Sequence, residues 1–501
     1  MNMTRKMEWA FAVLFAVGSA VAQQAVIPAV PEKPWTHAFW LPRFDETRAR
    51  AAQGGYDVVF LGDSITHFWE TAGKDVWEKS FAGGPYKALN CGFSGDCTEH
   101  LLWRLDNGQL ADLKPKAFVL MIGTNNTGHR ELWQESPTDT ILGIQSILVR
   151  LSERYPDAKV ILHPIFPRGA TTNDPMRVRN DLVNSVICKF ADGSRVLWCD
   201  FNSKLLTADG VLEKSMAEDL LHPGPTGYGI WADALKPYLD FALGRVETAP
   251  KRAAAPAPTA IPKGATRSVT PSPAMYWLAN SNKKVQPRIR DKRAEEFANA
   301  SRYYDVIWIG DSITHFWENK GNVEVFKEKF ADYRILNLGF GGDKTENLLW
   351  NVKYGGFLDN VHTRLVTMMI GTNNTWKDSV EDIAAGIKAC IEAVREKQPQ
   401  ARLVLYSILP REVAHQRGDR NFRRKSKNVD EIMPKQTKVN EIIRTYADGE
   451  NVLFFDLTDR FTDAEGLPDV TLLGDGTHPN AAGYRVWADA VLPLYRRLLG
   501  R

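Results

Sequence analysis

The chain repeats itself, and this duplication constrains the fold more than any other feature. Gly62-Asp63-Ser64-Ile65-Thr66-His67-Phe68-Trp69-Glu70 recurs unchanged at residues 310–318. Met121-Ile122-Gly123-Thr124-Asn125-Asn126-Thr127 recurs at residues 369–375. Residues 90–96 (NCGFSGD) match residues 337–343 (NLGFGGD), and Leu221-His222-Pro223 matches Thr477-His478-Pro479. Four blocks in the same order require two copies of one domain, and their spacing is far too long for a solenoid. The expected domains are residues 30–247 and 272–501. Between them, residues 248–271 are rich in Ala, Pro and Thr and lack apolar periodicity, the composition of an extended spacer.

Within the first copy, apolar runs at residues 58–61, 88–90, 118–122, 160–165 and 196–199 alternate with helical patterns such as 98–105 and 140–154. The second copy repeats this with runs at 306–309, 335–337, 365–370, 403–408 and 452–456. Strands that are apolar throughout, separated by helices, predict a parallel sheet covered on both faces. The expected fold class is therefore α/β, with five parallel strands in each copy. Sites in such sheets form at the carboxyl ends of strands, which is where the repeated blocks fall.

Bulk composition excludes some functions. The 501 residues are 44% hydrophobic and 25% charged, with 63 basic and 60 acidic side chains giving a net charge of +3. So small an excess gives no reason to expect nucleic acid or an anionic membrane as a partner. Arg5 and Lys6, the apolar run 9–17 and Ala20-Val21-Ala22 read as a secretory signal cleaved before Gln23. Secretion or periplasmic export is the expectation, without stable membrane insertion. Export permits disulfides. Cys91, Cys97, Cys188 and Cys199 allow three pairings, and buried free thiols are an equal alternative for them and for Cys390. Neither C-x-x-C nor H-E-x-x-H occurs, and no metal or other cofactor is expected.

The repeated blocks carry a hydrolytic chemistry. Ser64 directly follows a buried strand, where a hydroxyl is lifted to the sheet edge; Ser312 is its copy. A serine hydroxyl needs a base to become a nucleophile. His222, with Asp219 three residues earlier, can supply one, and His478 with Asp475 repeats the spacing. The carboxylate can hold one ring nitrogen while the other faces the serine. Glu218 competes with Asp219, but the second copy has Gly474 there. Acyl transfer also needs donors for an oxyanion. Gly95 and Gly342 lie in loops after the second strand, and Asn125 and Asn373 follow the third.

These residues resemble the SGNH, or GDSL, hydrolase superfamily. Residues 337–343 with Leu348-Leu349-Trp350, and Leu101-Leu102-Trp103-Arg104-Leu105, look like the branch of the platelet-activating-factor acetylhydrolase catalytic subunits. The resemblance implies a flavodoxin-like three-layer α/β/α fold in each copy. It implies Ser64, Asp219 and His222 as one triad, with Gly95, Asn125 and the Ser64 N–H as its oxyanion hole. Residue by residue, the second set is Ser312, Asp475, His478, Gly342 and Asn373.

The copies differ in places. Residues 412–434 of the second form a longer expected loop carrying Arg417, Arg420, Arg423, Arg424, Lys425 and Lys427; the first is longer at 128–137, with His129 and Trp133. Phe68 and Trp69, with their copies Phe316 and Trp317, are expected to pack on the sheet, with a role as sugar platforms the alternative. The expected activity is hydrolysis of small acyl esters, acetyl groups on carbohydrate above all, with a small-molecule or polysaccharide ester as substrate. A lipid acylhydrolase, an acyltransferase and a glycan-binding protein with a silent domain are the alternatives.

Overall fold

The protein is described by a computed structural model, which covers residues 24–82, 84–130, 135–251, 266–272, 274, 287–299, 301–319, 321–411, 429–464 and 466–501. These residues form two compact units, each built on a five-stranded parallel sheet. In the first unit the strands are β1 (Val58–Gly62), β2 (Ala88–Gly92), β3 (Ala117–Met121), β4 (Lys159–Leu162) and β5 (Val196–Trp198). In the second they are β6 (Tyr303–Gly310), β7 (Ile335–Gly339), β8 (His362–Met369), β9 (Arg402–Tyr406) and β10 (Val452–Phe455). The spatial orders are β2-β1-β3-β4-β5 and, read from its other edge, β7-β6-β8-β9-β10. This is the flavodoxin-like order, in which the chain reverses its winding beside the first strand. Gly62 aligns with Gly92 on one side and Met121 on the other, so the crevice of the first unit opens at these residues.

Burial on both faces explains why these strands read as unbroken apolar runs. Val58, Phe60, Val119, Met121 and Ile161 join Trp231, Leu235 and Leu239 of the helix Pro225–Ala242 in one cluster. The alternate residues Val59, Leu61, Phe118 and Leu120 are equally buried. The helices Thr98–Asp106, Pro137–Arg154 and Pro175–Ile187 pack on one another in sequence. The second unit repeats the first cluster with Val306, Trp308, Trp487 and Val491. All five cysteines are buried as thiols, the Cys188 thiol donating to the Ser185 carbonyl, so the fold holds without a bridge.

Two sequence boundaries move. Residues 266–271, assigned to the spacer, pack on the second unit. Ser268 is buried and its carbonyl accepts from Thr345 Oγ1 at 3.0 Å, while Arg267 pairs with Glu346. Ala25 does the same in the first unit, its carbonyl accepting from Thr98 Oγ1 at 2.8 Å. The Pro and Thr residues around Ser268 are thus the second copy of the segment that opens the first unit. The loop expected up to Pro434 ends sooner, because the helix Val429–Arg444 accommodates Pro434 near its start. Its basic residues 417–427 lie outside the described residues, as do the signal segment 1–22, Trp133 and most of the spacer.

Candidate active site

Ser64 opens a four-residue helix (Ser64–His67) immediately after β1. Asp63 caps it, its Oδ1 accepting from the Ile65 N–H at 3.0 Å. The turn sits so close to β3 that a Cβ on Gly62 would lie 2.2 Å from the Met121 carbonyl oxygen, which explains the glycine before each Asp-Ser. Tyr228 pins the helix from above, donating to the Ile65 carbonyl at 2.6 Å, and Asn90 donates to the His67 carbonyl at 3.3 Å. In the second unit Tyr484 donates to the Ile313 carbonyl at 2.7 Å and Asn337 to the Thr314 carbonyl at 2.9 Å. The serine is thus held by the strand, a cap and a tyrosine from the last helix.

The expected base meets it. Ser64 Oγ lies 2.8 Å from His222 Nε2, and His222 Nδ1 lies 2.6 Å from Asp219 Oδ2. Asp219 Oδ1 also accepts the backbone N–H groups of Leu221 and His222 at 3.0 and 2.8 Å. One carboxylate therefore folds its own turn and orients the ring. The second unit gives 2.8 Å for Ser312 Oγ to His478 Nε2 and 2.7 Å for His478 Nδ1 to Asp475 Oδ2. Hydrogen bonds from His222 outweigh partial burial and hold the Asp219 carboxyl below its usual range; Asp475 is lowered in the same way by His478. Asp219, and not Glu218, faces the ring. Phe68 lies against it, with centroids 4.8 Å apart, and Phe316 against His478 at the same distance.

The expected oxyanion donors come to the same sheet edge. Asn125 donates one amide N–H to the Asp96 carbonyl at 2.8 Å, and Asn373 donates to the Asp343 carbonyl at 2.9 Å. Each amide carries a second N–H. Gly95 and Gly342 adopt φ of 84° and 81°, a left-handed backbone suited to glycine, directly before these carbonyls. Trp35 crowds Gly95, where a Cβ would sit 2.9 Å from the ring. The Ser94/Gly341 difference is absorbed locally: Ser94 Oγ bonds His67 Nδ1 at 2.8 Å, and the Gly341 N–H donates to His315 Nδ1 at 3.3 Å.

Charge around the site is arranged by buried groups. Burial pushes Asp63 up to about 7 and Asp311 up to about 6. Their outer oxygens have no hydrogen-bond partner among the described residues. Burial lowers His67 and His315 to about 4, so both are neutral at physiological pH.

Three features escaped the sequence reading. Arg168 Nη1 donates to the Thr124 carbonyl at 2.9 Å, and Arg411 Nη1 to the Thr372 carbonyl at 3.3 Å, each one residue before the asparagine expected to face an oxyanion. The signal was there, as Pro167-Arg168 and Pro410-Arg411 follow the fourth strand of each copy. Tyr228 and Tyr484 were marked by a repeated Gly-Tyr after each His-Pro. Phe68 and Phe316 were expected to pack on the sheet. Trp69 does so, fully buried. Ligand-type atoms of Cys97, Glu99 and His100 lie within 4.8 Å of one another, but Arg130 already pairs with Glu99 and Glu135. The second copy places Lys344 where the first has Cys97.

The chain matches the GDSL-like Lipase/Acylhydrolase family over residues 60–230 and again over 308–486. It is 36% identical over 173 residues to human platelet-activating factor acetylhydrolase IB subunit alpha1, covering 34% of this chain and 70% of that protein. It is 32% identical over 196 residues to the mouse alpha2 subunit, covering 39% and 80%. A GDSL-like lipase structure from Bacteroides thetaiotaomicron is 19% identical, covering 42% of this chain and 97% of that one, with a TM-score of 0.35. An acetylxylan esterase from Geobacillus stearothermophilus is 18% identical, covering 39% and 94%, with a TM-score of 0.29. With the family matched in both halves, this chain belongs to the GDSL-like lipases and acylhydrolases, as an ester-hydrolysing enzyme duplicated in tandem.

Proposed function

We propose that each unit is a serine esterase that hydrolyses small acyl esters, acetyl esters foremost, borne on a hydrated alcohol such as carbohydrate. Ser64 Oγ attacks the ester carbonyl while His222 Nε2 takes its proton. Asp219 stabilises the imidazolium, and the N–H groups of Ser64, Gly95 and Asn125 receive the oxyanion. The histidine returns the proton to the leaving alcohol, then activates water to release the acid. Ser312, His478, Asp475, Gly342 and Asn373 repeat these roles. The observation that carries this reading is the Ser–His–Asp chain of bonds, found twice with different residues between the acid and the base.

The acetyl preference draws on the relatives, which are named acetylhydrolases. The choice of a hydrated alcohol draws on exposure. The Asp219 and Asp475 side chains are 54% and 60% exposed, so each relay ends in water rather than beneath an apolar cleft. Export draws on the N-terminal residues already described, and N-terminal sequencing of protein from the medium or periplasm would return Gln23 first. A fluorophosphonate probe tests the chemistry: mass spectrometry should find it on Ser64 and Ser312, and labelling of neither would refute the proposal. Acetate release from acetylated xylan, weighed against turnover of a long-chain lipid ester, tests the substrate. Turnover of the lipid alone would contradict the carbohydrate assignment.

A further inference from the structure

The block Met121–Thr127 and its copy are followed by different residues, Gly128 in the first unit and Trp376 in the second. In the first unit the Arg168 guanidinium fills the space a side chain would need, since a Cβ on Gly128 would lie 1.8 Å from Arg168 Nη1. In the second, the Arg411 guanidinium stands over the Trp376 ring, 4.9 Å from its centroid. Trp376 is nonetheless 41% exposed, one of the few large apolar side chains so open among the described residues. The same guanidinium donates to the Thr372 carbonyl beside Asn373, and the charges of Asp311 and Asp475 act on it. Arg411 therefore links the indole to the turn that carries Asn373.

From this we infer that the second unit holds a leaving-group subsite, built from Trp376 backed by Arg411, that takes a pyranose ring, and that Gly128, at the matching position of the first unit, cannot supply one. The inference rests on the esterase reading above. An indole fixed on one side by a guanidinium is a rigid platform. Its negative π face attracts the slightly positive C–H groups of a sugar ring, and no side-chain entropy is lost on binding because the ring is already held. Placed beside the oxyanion turn, the platform meets the alcohol of an ester whose carbonyl points at Asn373. In the first unit the position that matches Trp376 is Gly128, and a guanidinium edge stands where the indole would be. The two units then differ in the alcohol they release, not in their chemistry.

The test compares two proteins, Ser64→Ala with only the second unit working and Ser312→Ala with only the first. Acetate release is followed from methyl β-D-xylopyranoside triacetate, which presents a ring, and from ethyl acetate, which does not. The pyranoside-to-ethyl ratio of kcat/KM should be about tenfold higher for Ser64→Ala, the factor expected for one stacked ring. In that background Trp376→Ala should raise KM for the pyranoside several-fold more than for ethyl acetate, with kcat on the pyranoside little changed. Trp376→Phe should restore most of the affinity. Equal changes on both esters, or an unchanged pyranoside KM, would overturn the subsite while leaving the esterase reading intact. Failure of the Ser64→Ala protein to hydrolyse either ester would overturn both.

Discussion

Leu220 holds the same left-handed backbone as Gly476, its counterpart in the second unit, with φ of 58° against 80°. Both residues follow the relay acid, in the turn that lets one carboxylate gather two N–H groups and the imidazole. A side chain in this conformation costs about 1–2 kcal/mol, and the first unit tolerates it. Gly476→Leu should therefore lower the stability of the second unit by about 1 kcal/mol and reduce its esterase rate. Leu220→Gly should leave the first unit as stable or slightly more so, since relief of strain exceeds the added freedom of the unfolded chain. Urea unfolding of the two variants checks this. Equal losses in both would mean that the turn does not set the cost.

Asn125 and Asn373 each commit one amide hydrogen to a backbone carbonyl. If the second stabilises an oxyanion, Asn125→Ala in the Ser312→Ala background should cut kcat about 10²–10³-fold with little change in KM. Steady-state kinetics on an acetyl ester decide the matter. A loss confined to KM would make the asparagine a binding group instead.

Asp63 is a helix cap and a buried acid at once. Its folded pKa of about 7 stands above the unfolded 3.8. Below pH 4 both states are protonated and no penalty applies. As pH rises from about 4 to about 7, the unfolded chain ionises first, and stability falls by up to about 1.4 kcal/mol per pH unit. Asp63→Asn keeps the oxygen that accepts from Ile65 and removes the titration. Its stability should thus vary less with pH across this window, while Asp63→Ala should share that flatter profile and lie about 1 kcal/mol below Asp63→Asn at every pH through the missing cap. Thermal melts between pH 4 and 8 would show it. An unchanged pH profile in Asp63→Asn would contradict the buried-acid assignment.

The sequence carried most of the fold because buried parallel strands leave unbroken apolar runs. Residues 58–61 and 118–122 announce their strands within a residue or two. The relay was legible for another reason: Asp219 and His222 act through a local turn, so their spacing encodes their contact. Arg168 and Tyr228 were not legible in this way. Each acts across the fold, on a carbonyl of a distant turn, and spacing along the chain does not record such contacts. Duplication was the remaining clue, since both residues recur after equivalent elements. The start of the second unit was misplaced because Ser268 sits among Pro and Thr residues that read as spacer, although its carbonyl is bound in the fold.

The central claim is that two serines carry the hydrolysis independently. The most direct test is p-nitrophenyl acetate hydrolysis by the unmodified protein, Ser64→Ala, Ser312→Ala and the double variant, with circular dichroism confirming that all four fold. Each single variant should keep part of the rate, the two parts should sum to the whole, and the double variant should fall to background. A double variant that still turns over ester at the unmodified rate would contradict the account.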